Sequence, residues 1–349
     1  MKKLYTLSLF LVAFAGLSQT ISFSGTGDLS ANGWIITGTP TAPATSFPGP
    51  LAILTTPSDN GNSLSFAGLA ASTGNRTTTT HNNTQDCNFA ITSNTGTSYY
   101  SALIKATNTN GMFADLNPTT QAPNTGEYFM HLAATAGTGA GSFVARMYVK
   151  SGTTPNTFKI AILNGATPSP GVNTPGYSTT EYPVNQTLFI VVKYDRAANS
   201  ASLFVNPTPG QAEPTPTVTN ATGTTAAPAQ VAAFCIRQSG SVTATTSTGN
   251  IEIDEVRVSD NWATVTPTNL STNQFQINNL KVFINNKNLN IVSDNNDVKS
   301  VQLFNILGKQ VINTSITTQT IDVTNLSSGI YIVKVTENGK SNTVKIVIQ

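Results

Sequence analysis

Gly249-Asn250-Ile251-Glu252-Ile253-Asp254-Glu255-Val256-Arg257-Val258 alternates apolar and polar residues, but not in one phase throughout. Ile251 and Ile253 share one parity, and Val256 and Val258 share the other. Successive side chains of a strand point to opposite faces, so a half-buried strand should keep one parity. The switch around Asp254-Glu255 therefore predicts a β-bulge, where one extra residue changes the register. Eleven further runs between residues 21 and 267 read as strands. They include residues 62–66, 98–106, 127–134, 142–150, 188–194 and 231–237. These runs are rich in β-branched and aromatic residues, and Gly, Asn or Pro clusters separate them. No window sustains an apolar period of 3.6.

Composition agrees. Charged residues make up 10% of the 349 and hydrophobic ones 39%, with 55 Thr, 36 Asn, 26 Gly and 18 Pro. Long solvated helices want Ala, Glu, Lys and Leu instead. The expected fold class is all-β: a large jelly-roll sandwich followed by a small seven-stranded sandwich. Residues 1–20 read as a signal peptide, with Lys2 and Lys3 before the apolar run 4–17. Gly16 and Ser18 are the small residues before a cleavage point at Gln19. Residues 21–262 form the main domain, 263–275 a Thr/Asn/Pro-rich linker, and 276–349 the second sandwich. The mature chain is expected to contain no transmembrane helix.

The net charge of +2 hides a division. Residues 21–267 carry −3 and residues 268–349 carry +3. The main domain is thus mildly acidic, and no basic stripe interleaved with aromatics argues for nucleic acid.

Two resemblances follow from particular residues. Val301-Gln302-Leu303-Phe304-Asn305-Ile306-Leu307-Gly308-Lys309, the later Leu326-Ser327-Ser328-Gly329-Ile330-Tyr331, and the tail from Lys345 resemble the type IX secretion C-terminal sorting domain. The resemblance implies export through the periplasm by the type IX machinery. Release or attachment to surface lipopolysaccharide then follows, so the protein is expected to be secreted or held on the outer cell surface. Asn305, Gly308, Gly329, Tyr331 and Lys345 are the expected signal residues, with Gly329 in a conformation that a β-carbon would strain. The main domain is similar to concanavalin A-like, laminin-G-like jelly rolls. The likeness rests on Leu188–Asp195 with residues 202–207, and on residues 249–258.

That superfamily holds lectins, adhesion modules and glycosidases, so the residues must choose. Glu252 and Asp254 are the catalytic candidates, about 6.6 Å apart along the strand. Retaining glycosidases need two carboxylates about 5–5.5 Å apart. Glu255 stands one position too early to serve as the second Glu of the glycosidase motif. Tyr99, Tyr100, Tyr177 and Tyr182 are candidates for stacking on sugars. His131 reads as a structural strand residue, and His81 sits in a polar loop. Cys87 and Cys235 are candidates for a disulfide that would close about 150 residues. They read equally as separate buried thiols. A structural calcium would draw on Asp28, Asp59, Asp195 or Asp254, although no EF-hand loop is present. The leading expectation is a non-catalytic recognition or adhesion protein for glycan or another surface polymer. The alternatives are a glycoside hydrolase or lyase, and a passive structural surface domain.

Because the second sandwich carries its own strands and turns, it should be dispensable for folding of the first. Deleting residues 269–349 should leave a folded β protein in the periplasm, read by fractionation and circular dichroism. Appearance of the truncated chain in the medium would refute the sorting assignment.

Overall fold

The computed structural model describes residues 17–349, apart from residues 24, 38–50, 71–73, 81–84, 167–173, 240–246, 269–276, 278, 295–296 and 339. His81 and most of the expected signal peptide lie outside the described residues. Two compact units fall within Met1–Asn269 and Leu270–Gln349.

The strands of the first unit are β1 (Ser18–Ile21), β2 (Ile35–Thr37), β3 (Ile53–Leu54), β4 (Arg76–Thr78), β5 (Asp86–Asn94) and β6 (Ser98–Ala106). There follow β7 (Glu127–Ala133), β8 (Phe143–Ser151), β9 (Thr157–Leu163), β10 (Gly176–Tyr177) and β11 (Tyr182–Pro183). The series ends with β12 (Leu188–Asp195), β13 (Ser200–Val205), β14 (Val218–Asn220), β15 (Val231–Ile236) and β16 (Ile251–Ser259), before a one-turn helix α1 (Trp262–Val265). They build two eight-stranded antiparallel sheets. The first runs β14-β13-β12-β6-β16-β4-β3, with β1 also on β16. The second runs β10-β9-β8-β7-β15-β5-β2, with β11 also on β9. The core between them includes Tyr100, Ile104, Leu132, Met147, Ile162, Ile190, Leu203 and Phe234. This is the expected large all-β sandwich.

The bulge in β16 is where the alternation placed it. Asp254 pairs with Leu103 and Arg257 with Ser101, so Glu255 and Val256 together oppose Ala102. Glu255 takes a left-handed φ of 53°. As a result Ile251, Ile253, Val256 and Val258 all reach one core. The Glu255 carboxylate pairs with Arg257 Nη2 at 2.7 Å. One Asp254 oxygen accepts from the Glu255 amide at 2.8 Å, and the other accepts from the Leu64 amide at 2.8 Å.

That last bond explains a departure from the expected strands. Residues 62–66 form a loop, because the Leu64 amide goes to a carboxylate rather than to a neighbouring strand. Leu64, Leu69, Trp262 and Val265 then cover Leu103, Phe189, Val191 and Phe204 on the outer face of the first sheet. Asn261 caps α1 by accepting from the Ala263 amide at 2.8 Å. The Ala70 amide donates to the Pro267 carbonyl at 3.0 Å, so residues 263–268 pack with the first unit rather than open the linker. The expected cleavage point before Gln19 falls inside β1, where Ser18 pairs with Ser259 and Ile21 with Val256.

The second unit holds β17 (Lys281–Asn285), β18 (Asn288–Val292), β19 (Lys299–Asn305), β20 (Gln310–Ile316), β21 (Thr320–Asp322), β22 (Gly329–Glu337) and β23 (Lys340–Ile348). They form a three-stranded sheet, β17-β18-β21, and a four-stranded one, β20-β19-β22-β23. Leu289, Ile291, Val301, Leu303, Val333 and Val335 fill its separate core. Glu337 pairs with Lys340 across a two-residue turn. Asn338 there has a φ of 49°, which a two-residue hairpin turn of this kind requires, while Gly339 lies outside the described residues.

Asp254 gives the first unit a pH signature. Burial pushes its carboxyl up to about 7, outweighing the two amide donors that lower it. An unfolded Asp titrates near about 3.9. Between those values the folded protein holds a proton that the unfolded chain has lost, so this group's stability contribution falls as pH rises through about 7. Asp254→Asn stays neutral throughout. The wild-type advantage over this variant in urea unfolding should therefore shrink from pH 5 to pH 8. A gap that stays constant would refute the assignment.

Candidate functional site

Two bulges shape the outer face of the second sheet. Tyr128 pairs with Tyr148 and Met130 with Met147, leaving Phe129 unmatched. Between Met130–Met147 and Leu132–Val144, both Ala145 and Arg146 oppose His131 alone. Ala145 has a φ of 50°. Its amide donates to the Asn164 carbonyl at 2.9 Å, and its carbonyl accepts from the Tyr100 hydroxyl at 2.9 Å. Bulges of this kind re-aim side chains and are common beside functional sites.

On that face the chain gathers planar and charged groups. The Arg237 guanidinium lies 4.2 Å from the centre of the Tyr128 ring and that of Arg146 lies 4.9 Å from it. Arg146 also stands 5.8 Å from the Phe143 ring. The Tyr128 ring is 5.5 Å from Tyr148 and 5.4 Å from His131, and His131 is 4.4 Å from Phe143. Glu127 pairs with Arg237 at 2.6 Å, while Asp86 approaches Arg237 to 3.8 Å. Such cation–aromatic contacts hold both partners rigid at modest energy. Tyr177 extends the face. Its hydroxyl donates to the Thr125 carbonyl at 2.7 Å, and Lys150 Nζ lies 4.1 Å over its ring. Gly126, with a φ of +74°, allows that approach, because a β-carbon would meet the Tyr177 hydroxyl and the Val149 carbonyl.

The electrostatics favour hydrogen bonding over acid–base work. Burial, with Arg146 beside it, holds His131 down at about 3, so the imidazole is neutral. Cys235 pairs with His131 in register, but burial pushes its thiol up, away from the reactive thiolate. Burial raises Asp86 to about 7 against the pull of Arg237. The face thus holds guanidinium groups and aromatic rings in place, with the Tyr148 hydroxyl buried and that of Tyr177 bound to Thr125.

Of the expected tyrosines, only Tyr177 joins this cluster. Tyr100 is in the sandwich core, where it supports the Ala145 bulge. Tyr182 packs on Phe158 at 6.0 Å. Tyr99 lies on the covered face of the first sheet, 6.1 Å from Trp262, and donates to Glu213 at 2.8 Å. Glu252 and Asp254 do not form an open catalytic pair. Glu252 is buried between Arg76 at 2.7 Å and Lys105 at 3.2 Å, and Asp254 holds the loop at Leu64. Cys87 and Cys235 lie on adjacent strands but are free thiols. Cys87 pairs with core-facing Ile236, whereas Cys235 pairs with Asn88 on the outer face, so the side chains diverge. Among the described residues no three His, Cys, Asp or Glu side chains converge on a metal position. Asp59 instead pairs with Lys105 at 3.0 Å, and Asp195 accepts from the Ala198 amide at 3.0 Å.

Tyr128, Arg146 and Tyr148 were not foreseen. Arg146, Tyr148 and Lys150 stand at alternate positions of one expected strand, and that same-face spacing was the available signal.

In the second unit Asn305 Oδ1 accepts from the Leu307 and Lys309 amides, both at 3.0 Å, and Gly308 has a φ of +78°. Ile306 and Leu307 are 74% and 87% exposed at that turn. Tyr331 is buried, its hydroxyl donating to the Ser327 carbonyl at 2.9 Å, and Lys345 is exposed on β23. The expectation for Gly329 needs correction. Its backbone is not left-handed, and a β-carbon would meet Tyr331 only at an ordinary 3.8 Å.

No curated protein sequence matches the chain. Solved structures similar to it include domain 4 of AbnA, a GH43 extracellular arabinanase from Geobacillus stearothermophilus, in complex with arabinotriose. The identity is 11%, over 71% of this chain and 98% of that one, with a TM-score of 0.32. The Emp47p carbohydrate recognition domain is 11% identical over 70% of this chain and 97% of that one, at a TM-score of 0.35. A sialidase is 9% identical over 69% of this chain at a TM-score of 0.35, and this chain spans only 18% of its length. None of these likenesses assigns an activity or a ligand. Among the described residues no helix is long and apolar enough to cross a membrane. Residues 285–349 match the secretion system C-terminal sorting domain, so the chain carries the type IX tail that its sequence resembles and is exported to the cell surface or the medium.

Proposed function

We propose that the first unit is a non-catalytic recognition module that binds glycan or another surface polymer through the outer face of its second sheet. The observation that carries this reading is the ladder of Arg237, Tyr128 and Arg146, flanked by Tyr148 and Tyr177. Sugars present dense hydroxyls on a partly apolar ring, and ligand sites meet them with a few fixed polar groups among aromatics. The other sheet supports the same reading by exclusion, since α1 and residues 62–69 cover its outer face. Catalysis finds no support at Glu252, whose carboxylate is bound by Arg76 and Lys105. Export by the C-terminal unit would present the recognition face outside the cell.

The secreted full chain should bind one or more polysaccharides on a glycan array. Tyr128→Ala should weaken that binding at least tenfold, about 1.4 kcal/mol, with the fold intact by circular dichroism. Binding to a protein but to no polysaccharide would overturn the proposal. So would release of reducing ends from a polysaccharide that Glu252→Gln abolishes.

A further inference from the structure

Resting on that reading, we infer that Arg146 makes the recognition face selective for acidic glycans, binding the carboxylate or sulfate group of an anionic sugar.

The inference begins with the ion pairs. The first unit has nine Lys and Arg residues in its described part. Seven of them pair with a carboxylate: Arg76, Lys105, Lys150, Lys159, Lys193, Arg237 and Arg257. Arg196 donates instead to the Thr95 carbonyl. Arg146 pairs with no carboxylate, and its Nε is buried without a hydrogen-bond partner. Every Asp and Glu of the first unit lies among the described residues, and none of them forms an ion pair with Arg146. A partly buried guanidinium without a counter-charge is costly.

The backbone spends further energy to hold it there. Ala145, just before it, is in the left-handed region inside the β8 bulge, a conformation that costs an alanine of the order of 1–3 kcal/mol. The bulge lets both Val144 and Met147, which have opposite parity, reach the core, so Arg146 faces outward instead of following Val144 inward.

The third observation is the space beside it. Arg146 lines a cavity of about 140 Å³, several times the ~30 Å³ of one water. Phe143, Val144, Ala226 and Pro228 form its apolar wall, and Ser142 and Thr225 bring hydroxyls. Among the described residues Arg146 is the only charged one lining it. The wall is built rather than loose. Asn164 Oδ1 accepts from the Gly223 amide at 2.7 Å, its Nδ2 donates to the Gly223 carbonyl at 3.0 Å, and the Thr225 amide donates to the Ala166 carbonyl at 2.9 Å. A two-pronged guanidinium at an apolar-walled slot is suited to a planar or tetrahedral oxyanion, which it binds through paired N–H donors. The apolar wall lowers the local dielectric and strengthens that contact. General attraction to polyanions is not the explanation, because residues 21–267 carry a net charge of −3.

The test compares matched probes on the secreted full chain by calorimetry in 0.15 M salt. Polygalacturonate is set against its methyl ester, and dextran sulfate against dextran. The expected result is binding of at least one acidic member at least tenfold tighter than its neutral counterpart. The carboxylate and sulfate arms identify which anion is read. Arg146→Gln should abolish that preference while leaving thermal unfolding cooperative. Equal binding to acidic and neutral members, or an acid preference that survives Arg146→Gln, overturns this inference and leaves glycan recognition standing. Failure to bind any polysaccharide, on the array or here, overturns both. Equal binding by the wild-type chain overturns the inference even if the variant does not fold, and Arg146→Lys, which keeps the charge without the paired donors, should then weaken the preference.

Discussion

The constraint on which the first unit depends is that β16 must deliver four aliphatic side chains of mixed parity to one core. Only an extra residue can do that, and Glu255 supplies it in a left-handed conformation. An isolated strained Glu would be unstable there. Asp254 binds its amide and Arg257 binds its carboxylate, so the bulge is held from both sides. β16 pairs with β1, β4 and β6, so its register sets the packing of half the first sheet.

The same bulge decides which surface is open. It leaves Asp254 free to accept from the Leu64 amide, and that bond seats the loop bearing Leu64 and Leu69 on the outer face of the first sheet. Trp262 and Val265 complete the cover. Glu252 is on this covered face, which is why it neutralises Arg76 and Lys105 instead of meeting a substrate. The second sheet uses bulges to the opposite effect. Its irregularities at Phe129 and Ala145 turn arginine, tyrosine and histidine outward, and a core hydroxyl, that of Tyr100, satisfies the carbonyl exposed by the distortion.

The second unit illustrates separation of tasks. It has its own apolar core and its own turns, with Asn305 holding the exposed Ile306-Leu307 tip by two amide bonds. Ile306 and Leu307 stay outside that core, exposed to solvent. Tyr331 instead anchors the Ser327 turn from inside. The two units thus rest on different residues with different cores.

The sequence alone determined the all-β class, the two sandwiches, the seven strands of the sorting unit and the bulge at Asp254-Glu255. Each is a matter of side-chain parity and turn chemistry within a few residues, which local sequence carries. It also marked the tail, whose motif lies in one continuous stretch. What it did not determine was the use of individual side chains. Tyr99, Tyr100, Tyr177 and Tyr182 look alike along the chain, and only strand order separates a core tyrosine from one on an outer face. Cys87 and Cys235 lie on neighbouring strands, yet one residue of register sends them to opposite faces. Arg146 became a candidate only when Asp86 of β5 and Glu127 of β7 were both seen to pair with Arg237. Ion pairing and burial are sums over residues far apart in sequence, so the tertiary structure alone could decide them.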